Sequence, residues 1–264
     1  MLVRKLYKRI IDIHIHHSGE ANFLERLLKC MDEAGVDIAC VSPSLVLYKP
    51  PFKEPGNEVV EKAFKEYPDK IIGFGAVYPG RSPYEAIDEL YSRGFKGIKM
   101  TIPTKRYDHD DFLTYYEKAE DYGMPILFHT GVVAHMQYDA ELRVSSAFMR
   151  PVYLDRIARM FPKLKIIAAH MGDPWYLEAY MTSQKNPNMW LDISGLARFT
   201  KACALRRYLW IRVTPDKLLF GLDEPPEDYL RIIYYWDTVL REMGVNEEDR
   251  RKIFGETAAK ILGL

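Results

Sequence analysis

Short apolar runs rich in Ile and Val alternate along the chain with longer stretches whose apolar residues recur at helical spacing. Strand side chains alternate between faces, whereas helical ones return to one face every three or four residues. On that basis eight strands are predicted, at Ile10–His16, Ile38–Ser42, Ile71–Val77, Gly97–Thr101, Pro125–His129, Lys165–His170, Met189–Ser194 and Leu218–Asp223. Helical patterns fill the gaps at Phe23–Ala34, Glu58–Tyr67, Tyr84–Ser92, Asp111–Tyr122, Val152–Phe161, Trp175–Ser183, Ala202–Ile211 and Asp228–Met243, and a last helix covers Glu247–Leu262. Alternating strands and helices mark βα units and a parallel sheet. Eight units without a break in composition predict an α/β fold of the closed (β/α)8 TIM-barrel type, with an open doubly wound sheet as the alternative. A single domain over residues 1–264 is expected, a length that suits one barrel.

Two loops are longer than connection requires. Leu45–Asn57 follows the second strand and Thr130–Pro151 the fifth. In a barrel both leave the C-terminal ends of strands, where active sites are built, so they read as substrate walls or lids. The second loop carries His135, Tyr138 and Arg143, and Arg198 follows the seventh strand. These four are candidate substrate-binding residues. The arginines stand out because a guanidinium can grip a carboxylate with two parallel hydrogen bonds.

Polar residues gather at the same strand ends. Strict alternation along Ile11-Asp12-Ile13-His14-Ile15-His16 turns the isoleucines toward a covering helix and Asp12, His14 and His16 inward. Two imidazoles at this spacing can offer nitrogens to one metal ion. Strand five ends at His129, strand six at His170 and strand eight at Asp223, so four of the seven histidines lie at strand ends. Packing alone does not account for that order.

Composition narrows the partners. Lys and Arg total 37, as do Asp and Glu, so there is no net charge to attract nucleic acid or a membrane surface. A small-molecule substrate is expected instead. Cys30, Cys40 and Cys203 show no pairing or CxxC spacing and read as reduced core thiols of a cytoplasmic protein. The basic start Met1-Leu2-Val3-Arg4-Lys5 is followed by no apolar signal core, and no stretch is long enough to span a bilayer.

The chain resembles the amidohydrolase superfamily, most of all the amidohydrolase-related branch that includes aminocarboxymuconate-semialdehyde decarboxylase. The likeness runs nearly end to end. It rests on Asp12-Ile13-His14-Ile15-His16, Gly94-Phe95-Lys96-Gly97-Ile98-Lys99, Leu127-Phe128-His129-Thr130-Gly131, Ala169-His170-Met171-Gly172, Leu191-Asp192-Ile193-Ser194-Gly195, Leu219-Phe220-Gly221-Leu222-Asp223 and the closing segment Ile253–Leu264. Departures are Asp173, where the branch often has Gly, and Thr257, where it often has Asn.

The resemblance implies that His14, His16, His129 and Asp223 bind one divalent ion. Zn²⁺ is the first expectation, with Mn²⁺, Fe²⁺ or Co²⁺ also suited to such donors. His170 would stay off the metal and share proton transfer with Asp223. Lys99 lies where binuclear members carry a carbamylated lysine, so it could serve a second ion, or else a substrate anion. A homodimer is common in the branch. The implied activity is a metal-dependent hydrolase that attacks a C–N or C–O bond of a small carboxylate-bearing substrate through a metal-activated water. The alternative is a metal-dependent decarboxylase of an unsaturated or aromatic carboxylate. A metal-free lactonase or a non-catalytic scaffold is the third reading, and retention of every polar strand-end residue argues against a scaffold.

Overall fold

The computed structural model describes residues 6–264, so the basic stretch 1–5 lies outside the described residues. Eight parallel strands pair in sequence order: β1 (Ile11–His17), β2 (Ile38–Pro43), β3 (Ile71–Val77), β4 (Gly97–Met100), β5 (Ile126–Phe128), β6 (Ile166–Ala168), β7 (Met189–Asp192) and β8 (Leu218–Leu219). The sheet closes through hydrogen bonds from Ile13 N to Phe220 O (3.0 Å) and from Asp223 N to His14 O (2.8 Å). The result is the predicted (β/α)8 barrel. The helices are α1 (Phe23–Ala34), α2 (Asn57–Glu66), α3 (Glu85–Arg93), α4 (Leu113–Asp121), α5 (Asp139–Leu142), α6 (Tyr153–Met160), α7 (Tyr176–Lys185), α8 (Arg198–Tyr208), α9 (Tyr229–Glu242), α10 (Glu247–Arg251) and α11 (Thr257–Leu262).

Both faces of the sheet are buried, as parallel strands require. Outward residues such as Ile15, Val41, Ile98 and Ile166 pack with Leu27, Val60, Leu90, Ile157 and Trp236 of the helix layer. Inward residues Ile11, Ile13, Cys40, Phe74, Leu127, Ile167 and Leu219 form an apolar floor, which Ala258 and Ile261 of α11 seal from below. The segment leading into α11 makes one π-helical turn at Lys252–Glu256, and its Ile253 carbonyl accepts a hydrogen bond from Phe220 N (2.8 Å). Gly255 lets the same turn lie against the segment ahead of β1, because a Cβ there would come within 2.6 Å of the Arg9 carbonyl oxygen.

The strand β1 departs from simple alternation. Its register against β2 slips between Asp12 and Ile15, which is a β-bulge. Ile11 and Ile13 therefore face the barrel floor rather than a helix, and Asp12 points outward. Beyond the slip, His14 and His16 face inward and Ile15 outward, as expected. Asp12 fixes the kink. It is fully buried, and its Oδ1 accepts from the backbone N–H of His14 (2.8 Å) and Leu222 (3.0 Å), while Oδ2 accepts from the Tyr229 hydroxyl (2.6 Å).

The two long loops pack against each other, and only the second reaches the site, through Thr130, Val132 and Ala134. Tyr48 and Phe52 from the first meet Tyr138 and Leu142 from the second in one small apolar cluster with Tyr78 and Ile102. The Tyr48 and Tyr78 rings lie 4.2 Å apart. Arg81 ties the cluster down by donating to the carbonyls of Ile102 and Leu142. Two smaller expectations fail. The helix after β7 begins at Arg198, four positions before the predicted Ala202. Only Cys40 is a core thiol, since Cys30 is half-buried and Cys203 exposed. No helix among the described residues is long and apolar enough to cross a membrane.

Candidate active site

The C-terminal rim of the barrel collects His14 and His16 from β1, Lys99 from β4, His129 after β5, His170 after β6, Asp192 and Ser194 from the end of β7, and Asp223 after β8. The His14 and His16 Nε2 atoms are 3.1 Å apart. Asp223 Oδ1 lies 3.3 Å from His16 Nε2 and 3.7 Å from His14 Nε2, and its Oδ2 lies 3.6 Å from His170 Nε2. The His129 and His170 rings are 5.0 Å apart. Lys99 Nζ is 2.8 Å from His14 Nε2.

The other ring nitrogens show how these imidazoles are oriented. His14 Nδ1 faces Asp192 Oδ2 at 2.9 Å, so that nitrogen carries the proton. His16 Nδ1 faces the Pro43 carbonyl at 3.2 Å, and His170 Nδ1 faces Ser194 Oγ at 3.0 Å. Ser194 Oγ gives its own proton to Asp192 Oδ1, so it accepts from the rings beside it. The same Asp192 oxygen accepts from His170 N (2.8 Å) and Ser194 N (3.0 Å). One buried carboxylate thus sets the tautomer of His14 and the backbone position of His170. With protons held at Nδ1, the Nε2 lone pairs of His14, His16 and His170 converge on Asp223.

The electrostatics agree with lone-pair donors. Burial pushes the pKa of His16 and of His129 down to about 3, and neighbouring Lys99 pushes the same way. Burial holds His14 and His170 well below the ordinary imidazole range. All four rings are therefore neutral at neutral pH. Burial also raises Asp223 and lowers Lys99. His129 supplies the clearest sign of a missing partner, because its Nε2 is buried without a hydrogen-bond partner. Native interiors leave few such atoms unpaired. His14, His170 and Asp223 bring ligand atoms within 4.8 Å of one another. This donor set suits a divalent ion, and it includes His170, expected to stay off the metal, in place of His16 and His129.

Backbone strain concentrates here. His170 (φ 60°), Met171 (φ 50°), Ala197 (φ 59°) and Asp223 (φ 48°) all adopt the left-handed conformation without being glycine, at about 1–3 kcal/mol each. His170 sits in a 3-10 turn at Ala169–Gly172 instead of ending a strand, and β8 stops at Leu219, four residues before Asp223. Gly195 (φ 76°) lines the opening, and a Cβ there would press to 3.1 Å on His170 Nδ1 and 3.4 Å on Asp223 Oδ2. The rim encloses a pocket of about 210 Å³ bordered by His129, His170, Asp173, Gly195, Lys201 and Asp223.

The expected substrate residues are placed elsewhere. Arg198 ion-pairs with Glu224, which is only 6 % exposed and is shared with Arg231, so its charge is already matched. His135 is 90 % exposed and pairs with Asp139 at 2.8 Å. Tyr138 packs edge-on against Phe52 in the loop cluster, and Arg143 is exposed just past α5. None of the four borders the pocket. Conversely, Ser194 and Lys201 carry no expectation from sequence. Ser194 follows Asp192 with the same two-residue spacing as the two histidines of β1, a signal that could have found it.

A search of curated protein sequences finds no match. Solved structures show the same fold. A dihydroxybenzoic acid decarboxylase from Polaromonas, holding manganese and the inhibitor 2-nitroresorcinol, has a TM-score of 0.69 at 18 % identity, covering 97 % of each chain. The 2,6-dihydroxybenzoate decarboxylase from Rhizobium has a TM-score of 0.67 at 19 % identity, covering 97 % of this chain and 98 % of that one. A probable 2-pyrone-4,6-dicarboxylic acid hydrolase from Acinetobacter baumannii, with citric acid bound, has a TM-score of 0.65 at 16 % identity, covering 97 % of this chain and all of that one. At such identities the likeness is one of fold. The amidohydrolase family model, however, matches residues 11–264, from the first residue of β1 to the end of the chain, and the protein therefore belongs to the amidohydrolase family.

Proposed function

We propose that the protein is a metal-dependent decarboxylase of a small aromatic or unsaturated carboxylate. The observation that carries the reading is the convergence of neutral imidazole lone pairs on Asp223, with His129 Nε2 unpaired beside them. The two decarboxylases of the same fold, one of them crystallised with manganese, support it over hydrolysis. His14, His16, His129 and Asp223 are the residues assigned to the ion, and the donor types suit manganese or zinc. A bound divalent ion supplies Lewis-acid polarisation of substrate oxygens and stabilises the negative charge that develops in the reaction.

The chain's own groups handle the proton. The bond between the substrate carbon and its carboxylate breaks, the electron pair stays on the carbon and CO₂ leaves. That carbon then needs a proton. His170 Nε2 and Asp223 Oδ2, 3.6 Å apart at the pocket wall, are the pair placed to deliver it. Asp223 on the ion is held as a carboxylate, so His170 is the member of the pair that carries the proton to the substrate carbon and Asp223 Oδ2 orients it. Asp192 and Ser194 position His170 and do not meet the substrate.

Hydrolysis is the second reading, supported by the likeness to the 2-pyrone-4,6-dicarboxylic acid hydrolase. The same pair would then take a proton from water and return it to the leaving group. The test is to load the protein with Mn²⁺ or Zn²⁺, offer a panel of hydroxybenzoates, unsaturated acids, esters and lactones, and follow CO₂ and ring opening separately. CO₂ released in step with loss of the acid is the expected result. Ester or lactone cleavage without CO₂ would move the assignment to the hydrolase. Turnover of neither kind by protein holding about one ion per chain would sink both.

A further inference from the structure

Lys201 is a lysine that burial, helix position and hydrogen bonding all disfavour. It is 1 % exposed, although lysine is almost never fully buried without a charged partner. It lies in the first turn of α8, where the helix dipole repels a cation. Its ammonium donates to two neutral backbone carbonyls, of Ser194 and Leu196. Left-handed Gly195 and Ala197 bend the chain so that both carbonyls meet it. Among the described residues it makes no contact ion pair. Asp192, Asp173 and Asp223 act on it from longer range. An ammonium has three N–H donors. Two are used, and the residue borders the same pocket as His129, His170 and Asp223.

We propose that the third donor of Lys201 binds an anionic oxygen of the substrate, so that Lys201 is the anion-recognition residue that the loop arginines do not provide. The inference rests on the carboxylate-substrate reading above and extends it to a substrate class. An ammonium gripping the carboxylate that departs as CO₂ would stabilise the reactant more than the transition state, where that charge is leaving, and would slow the reaction. The group held by Lys201 is therefore a spectator, and the substrate carries two acidic groups. A pocket of about 210 Å³, below the roughly 300–1,000 Å³ usual for drug-sized ligands, limits it to a compact diacid or hydroxy acid.

The test is a binding titration of the Mn²⁺-loaded protein with benzene-1,3-dicarboxylate, its monoamide and benzoate. Wild type should bind the dicarboxylate at least tenfold more tightly than either monoanion. Lys201→Met should abolish that preference, and Lys201→Arg should keep part of it. For any acid that turns over, Lys201→Met should raise KM at least tenfold and change kcat less than threefold. Equal binding of all three probes by wild type would overturn the proposal, and this comparison needs no variant to fold. An unchanged dicarboxylate preference in Lys201→Met would overturn it as well. A dicarboxylate preference without CO₂ release from any acid would leave Lys201 as assigned and remove the decarboxylase reading instead.

Discussion

Along β1 the floor of the barrel ends at Ile13 and its mouth begins at His14. Adjacent residues of one strand thus serve two different solvents. The floor is an apolar layer in which Ile13, Leu127, Ile167 and Leu219 pack without polar atoms, and α11 shuts out water. The mouth, one layer up on the same strands, gathers four imidazoles, two carboxylates and two lysines, with His14, His170, Asp192, Lys99 and Lys201 buried and His16, His129 and Asp223 half-buried. Buried polar groups cost stability unless paired, and here several are held in left-handed backbone as well. The mouth can carry that strain because the floor beneath it does not. The comparison makes a strong claim: the two layers separate stability from chemistry, and substitutions should divide accordingly.

The largest effect tests the mouth. Asp223→Asn keeps the shape of the side chain but removes a carboxylate from the proposed metal donors and the proposed proton-transfer pair. Turnover should fall about 10²–10⁴-fold, the range for loss of a general acid or base. Bound metal per chain should fall too. The melting temperature of the metal-free protein should hold or rise, since burial already disfavours the charged form of Asp223. A variant that melts well below wild type before metal is added would show that the mouth supports the fold, against the separation.

The next tests the floor. Ile167 is fully buried among inward residues. Ile167→Ala should cost about 2–5 kcal/mol in urea unfolding, through lost transfer energy and the cavity left behind. Metal content and activity per folded molecule should stay within about twofold. A large loss of activity at conditions where the variant is fully folded would break the comparison from the other side.

Much of this division is legible in the chain itself. Apolar runs that end abruptly in His129, His170 or Asp223 mark where strand gives way to rim, because nothing else in the run is polar. The bulge in β1 is not legible, since an alternation rule presumes regular pairing. Here the Asp12 carboxylate captures the His14 and Leu222 amides and forces the slip. Arg198 looks free in sequence because its partner Glu224 comes from another loop, 26 positions on. Lys201 gives no signal, because its burial depends on backbone turns at Gly195 and Ala197 that only the assembled barrel imposes.

A smaller effect comes from pH. His16 and His129 are neutral in the folded metal-free protein down to about pH 3, but titrate near 6.5 once unfolded. Between those values the unfolded chain binds the more protons, so stability falls as pH falls, by about 1.4 kcal/mol per unit for each histidine. Asp223 and Asp12, raised by burial to about 7 and about 6, take up protons in the folded state over part of the same range and oppose the effect. With His14 and His170 depressed as well, urea midpoints of the metal-free protein should still drop from pH 7 to pH 5. His129→Asn should flatten the slope. A slope that ignores this substitution would place the acid sensitivity elsewhere.

The finest test lies at the boundary between the layers. Tyr229 donates to Asp12 Oδ2 from α9, and Asp12 in turn holds the bulge that turns His14 into the mouth. Tyr229→Phe removes one hydrogen bond and leaves the shape of the ring. It should cost about 1–3 kcal/mol, the usual penalty for leaving a buried acceptor unpaired. If the bulge is what aims His14, metal affinity should weaken as well, by about tenfold, the lower end of what loss of a ligand-orienting contact produces. A stability loss with unchanged affinity would mean that the two amides bonded to Asp12 hold the bulge alone. In that case the change from floor to mouth is made within β1 and its closing partner, with no contribution from the helix layer.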